Sequence, residues 1–221
     1  MSTTVVYASG ESGIVRATSL NNYLESARGD GSFGVFTTQA TAYAGQLVSS
    51  WFIYQAFLTW DTSAVGTDTV SNVDFEVDGV ADNSTSDLVV ESYAYDWGAT
   101  LTSADFRDSD VDIPALGSII ASHDTASGWT LTAGYNQTMG ALTAFDSAIN
   151  GAGDTLIVLI SSRHRTETVP SGLTEYVTFQ CTGNTNDARL TITHAAATNI
   201  YTAIDDDPDS PDGVIIRTTV S

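Results

Sequence analysis

Apolar and polar residues alternate with a period of two along much of this 221-residue chain. In DFEVDGV, Phe75 and Val77 alternate with Asp74, Glu76 and Asp78, the pattern of a strand with one face buried and the other wet. The same reading predicts strands over 51–60, 69–79, 87–97, 155–165, 174–183 and 188–195. Weaker alternation in TTVVYAS, GIVRAT and FGVFTT predicts edge strands, joined by turn-rich connections such as ARGDGSFG. The run Leu156 to Ile160 is apolar without alternation, which calls for cover on both faces or a place at a subunit contact.

Two segments break the period of two. TSADFRD (102–108) begins with a Thr or Ser cap and acidic residues, and GALTAFDSAING (140–151) sets Leu142, Phe145 and Ile149 at helical spacing before a glycine stop. Both are expected as short helices or helical turns. Many short strands with Gly-, Asn- and Asp-rich turns predict an all-β, jelly-roll-like antiparallel β-sandwich with one or two short helices and a C-terminal extension. The chain divides into an N-terminal arm with the first strands (1–32), the sandwich (33–197), and an acidic linker with a C-terminal strand (198–221). That last strand, GVIIRTTV, has no obvious hairpin mate. Val214, Ile215 and Ile216 therefore either return to their own sandwich or form an intersubunit arm that adds to a neighbour's sheet edge.

Composition narrows the function. A chain of this length buries roughly 70% of its unfolded surface and needs no staple; its one cysteine, Cys181, could supply no intramolecular disulfide. Asp and Glu total 27 against 7 basic residues, all arginine, for a net charge of -20. Phosphate backbones and anionic membranes are disfavoured partners, and the acidity favours solubility at high local concentration. Without lysine, Schiff-base and P-loop chemistry are excluded. No stretch of 18 apolar residues and no secretory signal is seen, so synthesis in a cytoplasm is expected.

Candidate chemistry is sparse. His123, His164 and His194 make no ligand spacing, and His164 is expected at a surface or interface. Carboxylate pairs such as Asp105 with Asp108, and Asp110 with Asp112, are the residue types of a glycosidase, but pairs arise by chance in so acidic a chain. Asp205, Asp206, Asp207 and Asp209 are hard oxygen donors for calcium, yet they lack the EF-hand spacing and read better as a solvated, self-repelling linker. Arg28-Gly29-Asp30 matches an integrin tripeptide, and a tight glycine turn accounts for it more simply. No cofactor and no metal are expected.

The order YQAFLTWDTSAV, TVSNVDFEVDG, LTAFDSAING, DTLIVLISSRHR and ARLTITH resembles the DNRLRE-type jelly-roll sandwich, a family related to carbohydrate-binding modules and shared by bacterial surface proteins and tailed-phage virion proteins. The shared points are Phe57 to Asp61, Ser161-Ser162-Arg163 and the strand Arg189 to Thr193, and the likeness runs from about Phe33 to Ala195. The resemblance implies a scaffold, and fold alone does not fix function. By analogy with carbohydrate-binding sandwiches, Tyr95, Trp97, Trp129 and Tyr135 are candidates for stacking sugar rings, with core packing as the alternative for each.

These readings converge on a non-enzymatic bacteriophage virion protein, made in the host cytoplasm and carried on the extracellular particle. The expected role is a capsid decoration or cement protein that bridges major capsid subunits, itself a homo-oligomer, with no nucleic-acid or membrane partner. The alternative is an adhesin of the phage tail or head that binds a host-surface glycan, and a polysaccharide-cleaving enzyme is a third reading.

Overall fold

The computed structural model describes residues 1–129 and 134–196 and, beyond them, the backbone of Ile200–Ala203 and Ile215–Thr218. In chain order the elements are β1 (Ser2–Tyr7), β2 (Gly13–Thr18), α1 (Tyr23–Ala27), β3 (Ser32–Thr37), β4 (Thr41–Leu47), β5 (Phe52–Asp61), β6 (Thr69–Val77), β7 (Gly79–Asp82), β8 (Val89–Ala94), α2 (Asp112–Ala115), β9 (Ala121–Asp124), β10 (Gln137–Ala141), α3 (Thr143–Asp146), β11 (Asp154–Ser161), α4 (Ser162–Arg165), β12 (Thr174–Gln180), β13 (Arg189–Ala195), β14 (Ile200–Ala203) and β15 (Ile215–Thr218). The fold is the expected all-β, jelly-roll-like sandwich.

One curled sheet of 13 strands runs β1-β13-β6-β10-β9-β8-β11-β5-β4-β12-β7, with β2 on β5 and β3 on β2, and every pairing is antiparallel. Strand β10 carries the sheet from one layer to the other, because Gln137 to Met139 pair with β6 while Gly140 and Ala141 pair with β9. Strand β5 is the branch point. Its Ile53 to Phe57 pair with β2 along one edge, while the other edge takes β4 at Phe52 to Tyr54 and then β11 from Ala56 to Asp61.

Two cores result. Successive side chains of a strand point to opposite faces, so Ala56, Leu58 and Trp60 enter the main core with Phe75, Leu159 and Leu190, while Ile53 and Phe57 enter a second core with Val158, Ile160, Trp97 and Phe106. The unalternating run Leu156 to Ile160 is thus covered on both faces within one chain. The main core is pinned by edge-to-face contacts of Trp60 with Phe75 (5.5 Å) and Phe75 with Phe145 (6.0 Å), and Trp60 Nε1 donates to the Ala188 carbonyl at 3.0 Å. In the second core, Phe57 meets the Trp97 ring edge-on at 5.3 Å.

Several boundaries differ from the sequence expectation. Strand β11 stops at Ser161, whose hydroxyl accepts from Arg163 N–H and turns the chain into α4. The stretch 87–97 is regular only from Val89 to Ala94, and 69–79 is split at Asp78. The two expected helices shrink to a 3-10 turn at Ser103–Asp105 and to α3. At the turn, Asp105 reaches back to the Thr102 N–H while Thr102 caps it, a reciprocal capping box. Residues 1–32, expected as an arm with first strands, are woven into the sheet: β1 pairs with β13, and β2 lies between β3 and β5 and is no edge. The terminal strand does find a mate, since β15 pairs with β14 as a separate two-stranded hairpin that contains Ile215 and Ile216. Val214 lies outside the described residues.

Phe57→Ala, which empties the centre of the second core, is expected to lower unfolding free energy by about 3–5 kcal/mol. Leu142→Ala, at a half-exposed position, should shift it by less than about 0.5 kcal/mol. Urea denaturation of both variants tests the contrast.

Candidate ligand-binding face

The aromatics selected from sequence do not form one platform. Trp97 and Trp129 are core residues, only 8% and 4% exposed, and Trp129 Nε1 donates to the Thr178 carbonyl at 3.1 Å. Their ring faces are occupied, so the stacking expectation is corrected for both: strand-end position in the sequence does not report burial. Tyr95 is half-buried, with the Arg107 guanidinium 4.4 Å from its ring centre and its hydroxyl donating to Asp105 Oδ1 at 3.0 Å. Tyr135 is covered in the same way by Arg189 at 3.8 Å and donates to the Asp187 carbonyl at 2.9 Å.

The titratable groups are tied into the scaffold. His164, expected at a surface or interface, is fully buried. Its Nε2 lies 3.0 Å from the Ala27 carbonyl, which can only accept, so Nε2 carries the proton and Nδ1 accepts from Gln55 Nε2 at 3.3 Å. Burial pushes its pKa down to about 4. Gln55 in turn donates to the Arg107 carbonyl and accepts from the Arg107 N–H. Glu175, also fully buried, faces Arg163 at 3.4 Å and accepts from Gln46 and Ser171. Arg165 grips Glu91 with two bonds of 2.7 Å, and the Tyr93 hydroxyl donates to the same carboxylate.

The Ser161-Ser162-Arg163 motif is therefore a splice: Ser161 caps α4, Ser162 Oγ accepts from Val89 N–H, and Arg163 Nε donates to the Asp87 carbonyl. Asp105 closes its capping box, and Asp108 Oδ1 accepts from the N–H groups of Val111 and Asp112. In the Arg28-Gly29-Asp30 tripeptide, Gly29 turns the chain at φ +74° and Arg28 is clamped by Glu167. Cys181 is buried, with its thiol pushed up to about 12. His194 joins the Thr4 hydroxyl (2.9 Å) to Asp68 (2.7 Å), in the order of a hydroxyl, imidazole and carboxylate relay; here it ties edge strand β1 and β13 to the start of β6. Among the described residues no cluster of three or more His, Cys, Asp or Glu side chains is arranged to hold a metal ion. Asp205, Asp206, Asp207 and Asp209 lie outside the described residues.

A half-buried aromatic cluster lies elsewhere. Tyr54 on β5, Gly45 on β4 and Tyr176 on β12 stand in register across three adjacent strands, with Tyr43 two residues from Gly45 on the same side. Gly45 contributes no side chain, and its φ of +133° suits glycine. A Cβ there would collide with the Glu175 carbonyl and the Tyr176 backbone. The three tyrosine rings make a triangle with centroid separations of 5.3, 5.8 and 5.9 Å. This is the β5 face that supplies Leu58 and Trp60 to the main core. The apolar layer thus continues past the covered region and emerges as half-buried tyrosines.

Arg16 on β2, paired with Tyr54, borders the triangle. Its guanidinium sits 4.4 Å from the Phe52 ring centre and 5.1 Å from that of Phe36. Of the six arginines with described side chains, the other five reach a carboxylate, and Arg16 does not; its buried Nε has no hydrogen-bond partner. Ile14, Arg16, Phe36, Gln39, Tyr43 and Tyr54 line a half-open cavity of about 220 Å³. Across Phe52 lies a broader cleft of about 550 Å³ with Ser19, Asn21, Glu25 and Asp30 in its wall. Sequence reasoning missed these residues because each alternates with small or apolar neighbours as any strand residue does; the signal present was one arginine inside the apolar strand GIVRAT.

The fold of His164 sets a pH dependence. Its folded pKa lies below the unfolded value of 6.5, so below pH 6.5 the unfolded state binds more protons and stability falls as pH drops towards 4. The slope contributed is on the order of 1 kcal/mol per pH unit. Comparing denaturation midpoints at pH 7 and pH 5, His164→Gln should flatten the loss seen in the parent chain. No protein-family model matches this sequence, and no curated protein matches it.

Proposed function

We propose that this chain is a structural protein of a bacteriophage particle, a decoration or cement subunit that binds the major capsid protein and acts without catalysis. The phage context comes from the sequence resemblance, and the observation that carries the assembly role is strand β3. Among the described residues it pairs with β2 alone, so one row of its backbone N–H and C=O groups faces outward. Its sequence, SFGVFT, holds no charge, and Phe33, Val35 and Phe36 are each more than a third exposed. Natural sheets guard such edges with charge, proline or bulges. An unguarded apolar edge on a chain of net charge -20 is what a partner strand or apolar groove on a shell subunit would cover. Binding only the assembled shell shifts the assembly equilibrium towards the intact particle by mass action.

The tyrosine triangle favours a second reading, glycan binding, now moved from Trp97 and Trp129 to Tyr43, Tyr54 and Tyr176. Val35→Lys puts a charge on the β3 edge without touching either core. It is expected to keep the circular dichroism spectrum and melting temperature of the parent and to lose at least tenfold in binding to purified empty capsids. Parent-like capsid binding by the variant, or absence of the parent chain from purified virions by antibody labelling, would count against the assembly reading.

A further inference from the structure

We infer that the Arg16 cavity is a subsite for a single carboxylate-bearing sugar, a hexuronic acid within an otherwise neutral saccharide. This rests on the glycan-binding reading and not on the virion reading. Three features point there together. Tyr43 and Tyr54, stacked on each other at 5.3 Å with Tyr176 packed against both, line the site with half-exposed aromatic edges and hydroxyls, a mixed apolar and polar wall that complements a pyranose, whose C–H faces are apolar and whose edge is polar. Among the described residues, no hydrogen-bond partner is found for the Tyr43 and Tyr176 hydroxyls. At about 220 Å³, the cavity falls below the roughly 300–1,000 Å³ of sites for drug-sized ligands, which suits one ring.

Arg16 sets the charge of the ligand. In a chain with 27 acidic residues, every other arginine with a described side chain meets a carboxylate, while this one is held between Phe36 and Phe52 with its Nε buried and unpartnered. With Nε buried, a guanidinium fixed by two rings presents the planar fork of its terminal Nη1 and Nη2 groups, which matches a carboxylate with two hydrogen bonds. Net charge -20 repels a polyanion, and Glu25 and Asp30 line the neighbouring cleft. The ligand therefore carries its one acid at Arg16 and neutral units beyond Phe52.

The test is calorimetric titration of the full chain with glucuronosyl-xylotriose and with its carboxyl-reduced form. The acidic sugar should bind at least tenfold tighter, and Arg16→Gln should remove that preference. Arg16→Lys should restore only part of it, because the ammonium lacks the fork. Tyr176→Ala should weaken both sugars alike, and circular dichroism confirms that each variant is folded. Equal binding of the two sugars, or an unchanged preference in Arg16→Gln, overturns the inference and leaves glycan binding standing. No binding of either sugar overturns the inference and the glycan reading together, while the capsid-binding result is unaffected.

Discussion

The pairing of β5 with β11 governs this fold. From Ala56 to Asp61 and from Asp154 to Leu159 the two strands run antiparallel, and within that ladder both faces are covered, by Trp60 and Leu159 on one side and Phe57 and Val158 on the other. Buried backbone leaves no water to satisfy N–H and C=O groups, so the ladder has to be complete. The rest of the sheet follows: β8 on the far edge of β11, and β2 and β4 on opposite edges of β5.

That double burial also explains the ion pairs and polar clamps. The second core is closed by short segments, α1, α2 and the 3-10 turn at Ser103–Asp105, rather than by another sheet. Such segments bring carbonyls and amides with no ladder partners. His164, Gln55 and Arg107 supply those partners beneath the lid, while Arg163 with Glu175 and Arg165 with Glu91 tie α4 to strands β12 and β8. Pairs with a buried carboxylate add little net stability against an apolar alternative, but removing the arginine strands the buried charge. Their effect is to fix one arrangement of α4 on the sheet.

The tyrosine cluster and the open β3 edge grow from the same architecture. Where β4 and β11 part along β5, the main-core face runs out from under its cover, and the residues that alternate inward elsewhere become the half-exposed Tyr54, Tyr43 and Tyr176. At the outer margin, β2 carries β3 as the last strand, leaving an unpaired edge beside the same cavity through Phe36. The edge proposed for assembly and the cavity proposed for a ligand therefore adjoin, sharing Phe36.

Local chemistry in the sequence was enough for the all-β class, for six main strands and for the cover on both sides of Leu156 to Ile160, because a period of two, or its loss, is a property of consecutive residues. It was enough too for the acidic surface and the glycine turn at Gly29. Strands β4, β7, β9 and β10 escaped notice, being short or glycine-containing, so that partners rather than propensity make them strands. Burial of Trp97, Trp129 and His164 was equally illegible, since alternation tells which residues share a face but not which face is covered, nor how far the cover extends. The placing of Arg16 beside three tyrosines from three other strands depends on register between segments up to 160 residues apart. Only the closed sheet sets that register, because it is fixed by long-range backbone pairing and packing and not by any local preference.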